Sequence, residues 1–221
     1  MTPGASHQIR TLDELRERYR PPGDVALAKQ LDRLDVHDRS LIALSTLVMV
    51  ATSDADGHLD VSPRGGPAGW VTVLDDHHLA IPDLSGNNRL DTLSNVVATS
   101  GIALLFVVPG MDETLRVNGA AIVTTSPDVL DRLDVAGRPP RTAIVVEVHD
   151  AYIHCAKAFR RAAAWSPEEW PDRSGLASVG CMFRDQIGLT DLDGSVIDER
   201  LEAGYEATLW EPGGRAPVDL A

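Results

Sequence analysis

The chain has 221 residues, 43% hydrophobic and 24% charged, a length and balance that suit one globular domain with a sizeable core. A formal net charge of −13 sets most of the surface against a polyanion, so nucleic acid is excluded as a partner and the basic residues that matter are local ones. Two cysteines, Cys155 and Cys181, make neither a disulfide framework nor a paired metal-ligand spacing, and both are read as buried or partly buried small hydrophobes. Residues 1–10 carry no apolar core of signal-peptide length, and no apolar run is long enough to span a bilayer, so a cytoplasmic protein away from any membrane is expected.

The first forty or so residues read as helical. Thr11 is a cap ahead of Asp13 and Glu14, and Pro21-Pro22 stops that helix. Residues 24–34 carry an apolar stripe at Val25, Leu27, Ala28, Leu31 and Leu34, and a short helix follows over 37–44. From Leu47 the period changes. Residues 48–52 and 58–62 read as strands around an Asp54-Ala55-Asp56-Gly57 turn, and 70–74 and 78–81 as a second hairpin. A short helix over 90–97 precedes strands at 102–108, 114–124 and 143–152. A helix over 154–164 follows, then a loop from Trp165 to Trp170 in which Ser166 caps a turn starting at Pro167. Residues 180–210 are helical in places, and the Pro- and Gly-rich residues 211–221 are expected to fray. Strands joined by short turns, with one inserted helix, indicate an antiparallel barrel rather than βαβ winding.

Chemistry concentrates in two blocks. Val61-Ser62-Pro63-Arg64-Gly65-Gly66 closes one strand, and Gly86-Asn87-Asn88-Arg89-Leu90-Asp91-Thr92-Leu93 opens a helix after Leu79-Ala80-Ile81-Pro82. Two arginines, two amides and the free N–H groups of a helix start match the oxygens of a phosphate monoester. Apolar strands between them offer a wall for a flat ring, and a phosphate on a flat ring suggests flavin mononucleotide. Arg64 alone is equally a solvated arginine in a tight turn; beside Asn87, Asn88 and Arg89 the ligand reading is the stronger. Asn88 as helix cap and Arg89 as a surface residue remain compatible with anion binding at the same place. Asn95 is read as tying the helix to a neighbouring loop. Arg116 and Asn118 alternate with Thr114 on one strand face, which lines either solvent or a polar cavity. No Ser-His-Asp order or HExxH spacing is convincing, so a hydrolase triad and a zinc site are rejected.

Four blocks, VSPRG, IPD-x-x-GNNR-x-DTL-x-N, LLF-x-VPG and ETLRVNG-x-A, occur in order between Val61 and Ala121, with Tyr152 to Ala158 as a fifth piece. In these blocks the chain resembles an uncharacterised branch of the pyridoxamine 5′-phosphate oxidase-like family of FMN-binding split β-barrels. The resemblance implies a mainly β fold with flanking helices, an antiparallel Greek-key split barrel. It implies FMN as cofactor, with Val61, Ser62 and Pro63 along the flavin edge and Arg64, Asn87, Asn88 and Arg89 at the phosphate. Pro82 and Asp83 would lie near the ribityl chain, and Thr114 near the ring. It further implies a homodimer with flavin at the subunit interface, where His154 and Lys157 are the candidate catalytic residues and Trp165 and Trp170 could cover the partner's flavin. The expected organisation is a single domain over 1–221, with a helical cap at 1–45, the barrel at 46–153 and a helical or loop part at 154–221.

The tail departs from true pyridoxamine phosphate oxidases. Those end in a basic strand with Arg and His for the substrate phosphate, whereas Arg200 and Arg215 here have no nearby histidine. Vitamin B6 oxidation is therefore disfavoured, and the expected activity is an FMN-dependent oxidoreductase acting on an unidentified small molecule. Two alternatives stand: a non-enzymatic flavin carrier or redox sensor, and a related split barrel using deazaflavin or haem, with His154 as the axial candidate for haem.

Overall fold

A computed structural model of the chain describes residues 7–133, 135, 137–189 and 191–210. The expected fraying of 211–221, and Arg215 with it, lies outside the described residues. Two short helices, α1 (Leu12–Arg16) and α2 (Asp24–Ala28), lead to α3 (Val36–Leu44). Thr11 caps α1 as expected, in a reciprocal box with Glu14, and Asp35 with Asp38 caps α3 in the same way. The helical stripe over 24–34 is only half realised. Past Ala28 the chain extends, and Leu31 exchanges two backbone hydrogen bonds with Ala151 at 2.8 and 3.0 Å. That stretch of strand would otherwise lack a partner, and satisfying buried backbone outweighs helical periodicity.

Seven strands follow: β1 (Leu47–Ser53), β2 (Leu59–Gly65), β3 (Thr72–Val73), β4 (His78–Pro82), β5 (Gly101–Val107), β6 (Thr114–Thr124) and β7 (Ala143–His154). All pair antiparallel in the order β2-β1-β5-β6-β7-β4-β3. The fold is a mainly β split barrel of Greek-key type with flanking helices. The chain crosses from β4 back to β5 through α4 (Asp91–Thr99), which packs on β1, β2, β5 and β6. The strand expected over 70–74 shrinks to two paired residues, although Trp70 and Val71 are both buried.

The inner faces hold the core. Val48 and Val50 from β1, Leu79 and Ile81 from β4, Leu104 and Phe106 from β5, and Leu115 and Val117 from β6 are all essentially inaccessible. Their strand neighbours point outward, so Leu47, Met49 and Ala51 share an outer face with Pro63, Val61, Leu105 and Ala103. β6 and β7 slip register between Asn118 and Gly119, and there any Cβ on Gly119 would run into the Glu147 carbonyl. This explains the glycine of the ETLRVNG block.

The helix expected over 154–164 is corrected. β6 begins at Thr114, whose partner is His154, so the ladder holds His154 in strand and α6 covers only Lys157–Arg161. A short α5 (Pro127–Leu130), absent from the expectation, fills the β6–β7 connection. Ser166 precedes a 3₁₀ turn at Pro167–Glu169 without a side-chain cap bond. Two final helices, α7 (Val179–Ile187) and α8 (Gly194–Thr208), cross so closely that Gly180 and Gly194 leave no room for a Cβ. Of the cysteines, Cys181 is half-buried, while Cys155 is exposed rather than the small buried hydrophobe expected. Among the described residues, no helix is long and apolar enough to cross a membrane.

Candidate functional site

The residues of β2 alternate strictly. Leu59, Val61 and Pro63 point outward, whereas Asp60, Ser62 and Arg64 turn inward toward α4. Gly66 N–H bonds Thr46 C=O, and Asp54 N–H bonds His58 C=O, which sets the even-numbered residues as the hydrogen-bonded partners of β1. Val61 therefore turns its N–H to the open edge of the sheet, and Pro63, which has none, sits where no ladder bond is lost.

Arg64 is held from several sides. Its Nη1 donates to Ser62 Oγ at 3.0 Å and to the Pro63 carbonyl at 3.1 Å, and its Nη2 donates to Thr92 Oγ1 at 3.2 Å. Thr92, only 2% exposed, donates in turn to Asp60 Oδ2 at 3.1 Å. That single hydrogen being spent, Ser62 Oγ must donate across the 3.1 Å contact to Thr92, whose lone pairs are then both in use. The network fixes the guanidinium while its Nε–H and one Nη2–H keep no acceptor among the described residues.

Arg64 faces a cleft of about 290 Å³ built by β2, the end of β4, the loop 83–90 and the first turn of α4. Asn88 and Leu90 both adopt left-handed backbone, at φ 57° and 60°, a conformation that costs a non-glycine residue roughly 1–2 kcal/mol. Leu90 is the N-cap of α4 and supplies no side-chain cap. Asn88 as the cap is thus corrected: the left-handed step at Leu90 carries the helix start two residues further on. The first N–H groups of α4 lie at the cleft, where the helix dipole favours an anion.

The cleft wall includes Trp70, 3% exposed, whose Nε1 is buried without an acceptor among the described residues. Its ring lies against Gly66, where a Cβ would collide with it. A buried indole N–H without an acceptor costs free energy, and this one is inaccessible, so it adds no donor to the cleft. Asp83 also lines the cleft. Burial pushes its carboxyl above the ordinary range, and the charge of Arg64 opposes that shift.

Of the residues singled out in the sequence, Ser62, Pro63, Arg64, Pro82, Asp83, Asn87, Asn88 and Arg89 all line this cleft. Arg89 lies at the rim, 71% exposed in its side chain and bonded to Asp91 at 2.7 Å, while Asn87 Oδ1 accepts from the Arg89 N–H. Thr114 lies elsewhere. It is buried at the start of β6, on the outer face of the sheet. His154 pairs with Thr114 at the end of β7, and Lys157 stands on α6, so the two do not share a helix face. Asn95 bonds Thr52 on β1 at 3.0 Å, a strand rather than a loop. Trp165 stacks on Phe159 and donates to the Met111 carbonyl; Trp170 donates to the Ala163 carbonyl. Asp60, Trp70 and Leu209 also line the cleft and were missed in the sequence, and Thr92, inside the second block, was given no role of its own there. Asp60 was findable, since it continues the period-two alternation of Ser62 and Arg64.

Several solved structures are similar to the chain over about half its length. A putative pyridoxamine 5′-phosphate oxidase from Lactobacillus delbrueckii is 26% identical, with a TM-score of 0.44 over 56% of this chain and 98% of its own. HupZ of Group A Streptococcus is 22% identical, with a TM-score of 0.42 over 52% and 89%. The FAD binding protein of Mycobacterium smegmatis is 12% identical, with a TM-score of 0.40 over 56% and 97%. No curated protein matches the chain. The sequence profile described as pyridoxamine 5′-phosphate oxidase matches residues 35–155, from the cap of α3 to just past the end of β7. That span holds the strands and every loop that builds the cleft, and on it the chain belongs to the pyridoxamine 5′-phosphate oxidase family.

Proposed function

We propose that the chain binds FMN with its phosphate in the cleft at the start of α4 and works as a flavin-dependent oxidoreductase on a small molecule. The observation that carries this reading is the cleft's set of donors: two N–H groups of Arg64 without acceptors among the described residues, and the first turn of α4, to which its N-cap Leu90 offers no side chain. A phosphate dianion suits such a set. Bound FMN supplies reversible transfer of an electron pair as hydride, and the protein supplies position and electrostatics. Arg64, fixed by Ser62 and Thr92, orients the phosphate. In this reading Asp83 accepts from ribityl hydroxyls, and the Val61 N–H at the open edge of β2 donates to the flavin edge. Arg89 exchanges Asp91 for phosphate at the rim.

A second copy of the chain completes the site in this proposal. The outer sheet face exposes Leu59 and Val61 on its edge strand, 87% and 68% accessible, an apolar surface of the kind that subunits cover. The whole chain is taken as one domain, its N-terminal helices tied to β7 through Leu31 and its last helix reaching the cleft through Leu209.

The test is an absorption spectrum of the purified protein before and after FMN, with NADPH or NADH added anaerobically. A bound flavin that bleaches with one nucleotide supports the reductase and names its donor; a flavin that persists moves the reading to a carrier or sensor. Arg64→Ala should weaken FMN roughly ten- to a hundredfold, and Arg89→Ala less, while riboflavin affinity stays level in both. No bound flavin after reconstitution ends the proposal.

A further inference from the structure

A second set of unmatched donors lies on the outer sheet face, away from the cleft. Pro63, Met49, Leu105, Arg116 and Tyr152 form one cross-strand row through β2, β1, β5, β6 and β7. Arg116 Nη1 donates to the Tyr152 hydroxyl at 2.8 Å, and its guanidinium carbon stands 5.5 Å from the ring centroid. Lys29 Nζ stands 5.9 Å from the same centroid and donates to the Ile153 carbonyl.

Neither cation has a carboxylate within ion-pair distance among the described residues, although the chain holds 33 acids against 20 bases. The nearest acid in the register, Asp150, instead accepts from Asn118 Nδ2 at 2.9 Å. Because Tyr152 accepts from Arg116, its own hydrogen is free to donate, and the rest of the guanidinium has no acceptor. The positive field is felt nearby: burial, then Arg116 and Lys29, hold the His154 imidazole below its ordinary pKa.

We infer that Arg116, Tyr152 and Lys29 form a subsite for an oxyanion, the carboxylate or phosphate of a small organic substrate whose apolar body lies on Met49 and Leu105. The inference rests on the proposed oxidoreductase reading for the ligand being its substrate, not for the binding itself. The row fixes the separation. Three strand spacings of about 4.8 Å put Arg116 about 14 Å from Pro63, far enough that a phosphate in the Arg64 cleft is a different ion. Arginine provides the fork, tyrosine a neutral donor and lysine a point charge, a combination that recognises an anion without requiring one shape.

The chain has three tyrosines, so 3-fluorotyrosine labelling of the full protein gives three ¹⁹F signals, with Tyr152 assigned by Tyr152→Phe. Phosphate and, separately, acetate are titrated at constant ionic strength, before and after FMN is added. The Tyr152 signal should shift saturably with at least one anion, while exposed Tyr19 and Tyr205 stay still. Saturation with acetate assigns a carboxylate, and saturation with phosphate a phosphate. Arg116→Ala should weaken the response roughly ten- to a hundredfold, the exposed Lys29→Ala should weaken it too, and Arg64→Ala should leave it alone. No saturable shift, a common drift of all three signals, or undiminished affinity in Arg116→Ala and Lys29→Ala overturns the subsite. Loss of dimer in Arg116→Ala with no anion response in the native chain overturns it as well, assigning the cluster to subunit contact. Failure to bind FMN would refute the flavin reading and leave this titration standing.

Discussion

Thr92→Val isolates what holds Arg64. Valine keeps the shape of threonine and removes one hydroxyl, which in this structure serves three partners: Arg64 Nη2, Ser62 Oγ and Asp60 Oδ2. Hydrogen bonds to charged groups contribute roughly 1.5–3 kcal/mol each, and the neutral one about 1 kcal/mol. Arg64 and Asp60 are only half-buried and recover part of the loss from water, so about 2–4 kcal/mol is the expected destabilisation. For a chain of this size that is a fall in Tm of roughly 5–12 °C. Thr92→Ser keeps the hydroxyl and loses a buried methyl, which costs about 1 kcal/mol. Urea unfolding of the two variants and of Ser62→Ala, alone and combined with Thr92→Val, measures the coupling. If Thr92→Val lies within about 0.5 kcal/mol of the native protein, or Thr92→Ser costs as much as valine, the hydroxyl is not the hub described.

Three further outcomes are expected. Asp83 has a native pKa raised by burial against the pull of Arg64, so its contribution favours the native state below the unfolded pKa and is lost as pH rises through the raised native value. Asp83→Asn should match the native protein at about pH 3 and gain on it as pH rises to neutrality; parallel urea-stability curves across that range would exclude a shifted Asp83. His154 is held below its ordinary pKa, so stability associated with it is kept above the unfolded value and lost as pH falls toward the depressed one. An NMR titration should show that depression, and Arg116→Ala should move the midpoint upward; an unmoved midpoint rules out Arg116 as a source of the field. Gly119→Ala should cost about 1–3 kcal/mol or more, by driving a methyl into the Glu147 carbonyl at the bulge. A chemical-denaturation midpoint equal to the native one would mean that the bulge relaxes freely.

What the sequence made legible follows from the range of each interaction. The strands from Val48 onward and the helix after Arg89 are local patterns of period two or 3.6, and they were found to within a few residues. Ser62, Arg64, Asp83 and the Asn87–Arg89 run were likewise read from motifs that abut one cleft. The misses are tertiary. Leu31 leaves its helix because Ala151, 120 positions away, needs a backbone partner, and His154 stays in strand because Thr114 faces it. No local signal carries either fact. Trp70 and Thr92 matter through what they touch across the fold, and Arg116 is recognisable as unpaired only once Asp150 is seen bonded to Asn118.

The tight crossing at Gly180 and Gly194 gives the last helix the mechanics of a lever. From Gly194 to its end α8 extends about 22 Å at 1.5 Å per residue, and Leu209, the next residue, stands at the cleft. With the fulcrum fixed by backbone against backbone, a tilt of about 5° at the crossing carries Leu209 about 2 Å. A methyl added at Gly180 would meet the Gly194 carbonyl and the Asp198 side chain, so the strain it brings enters α8 at the end farthest from Leu209.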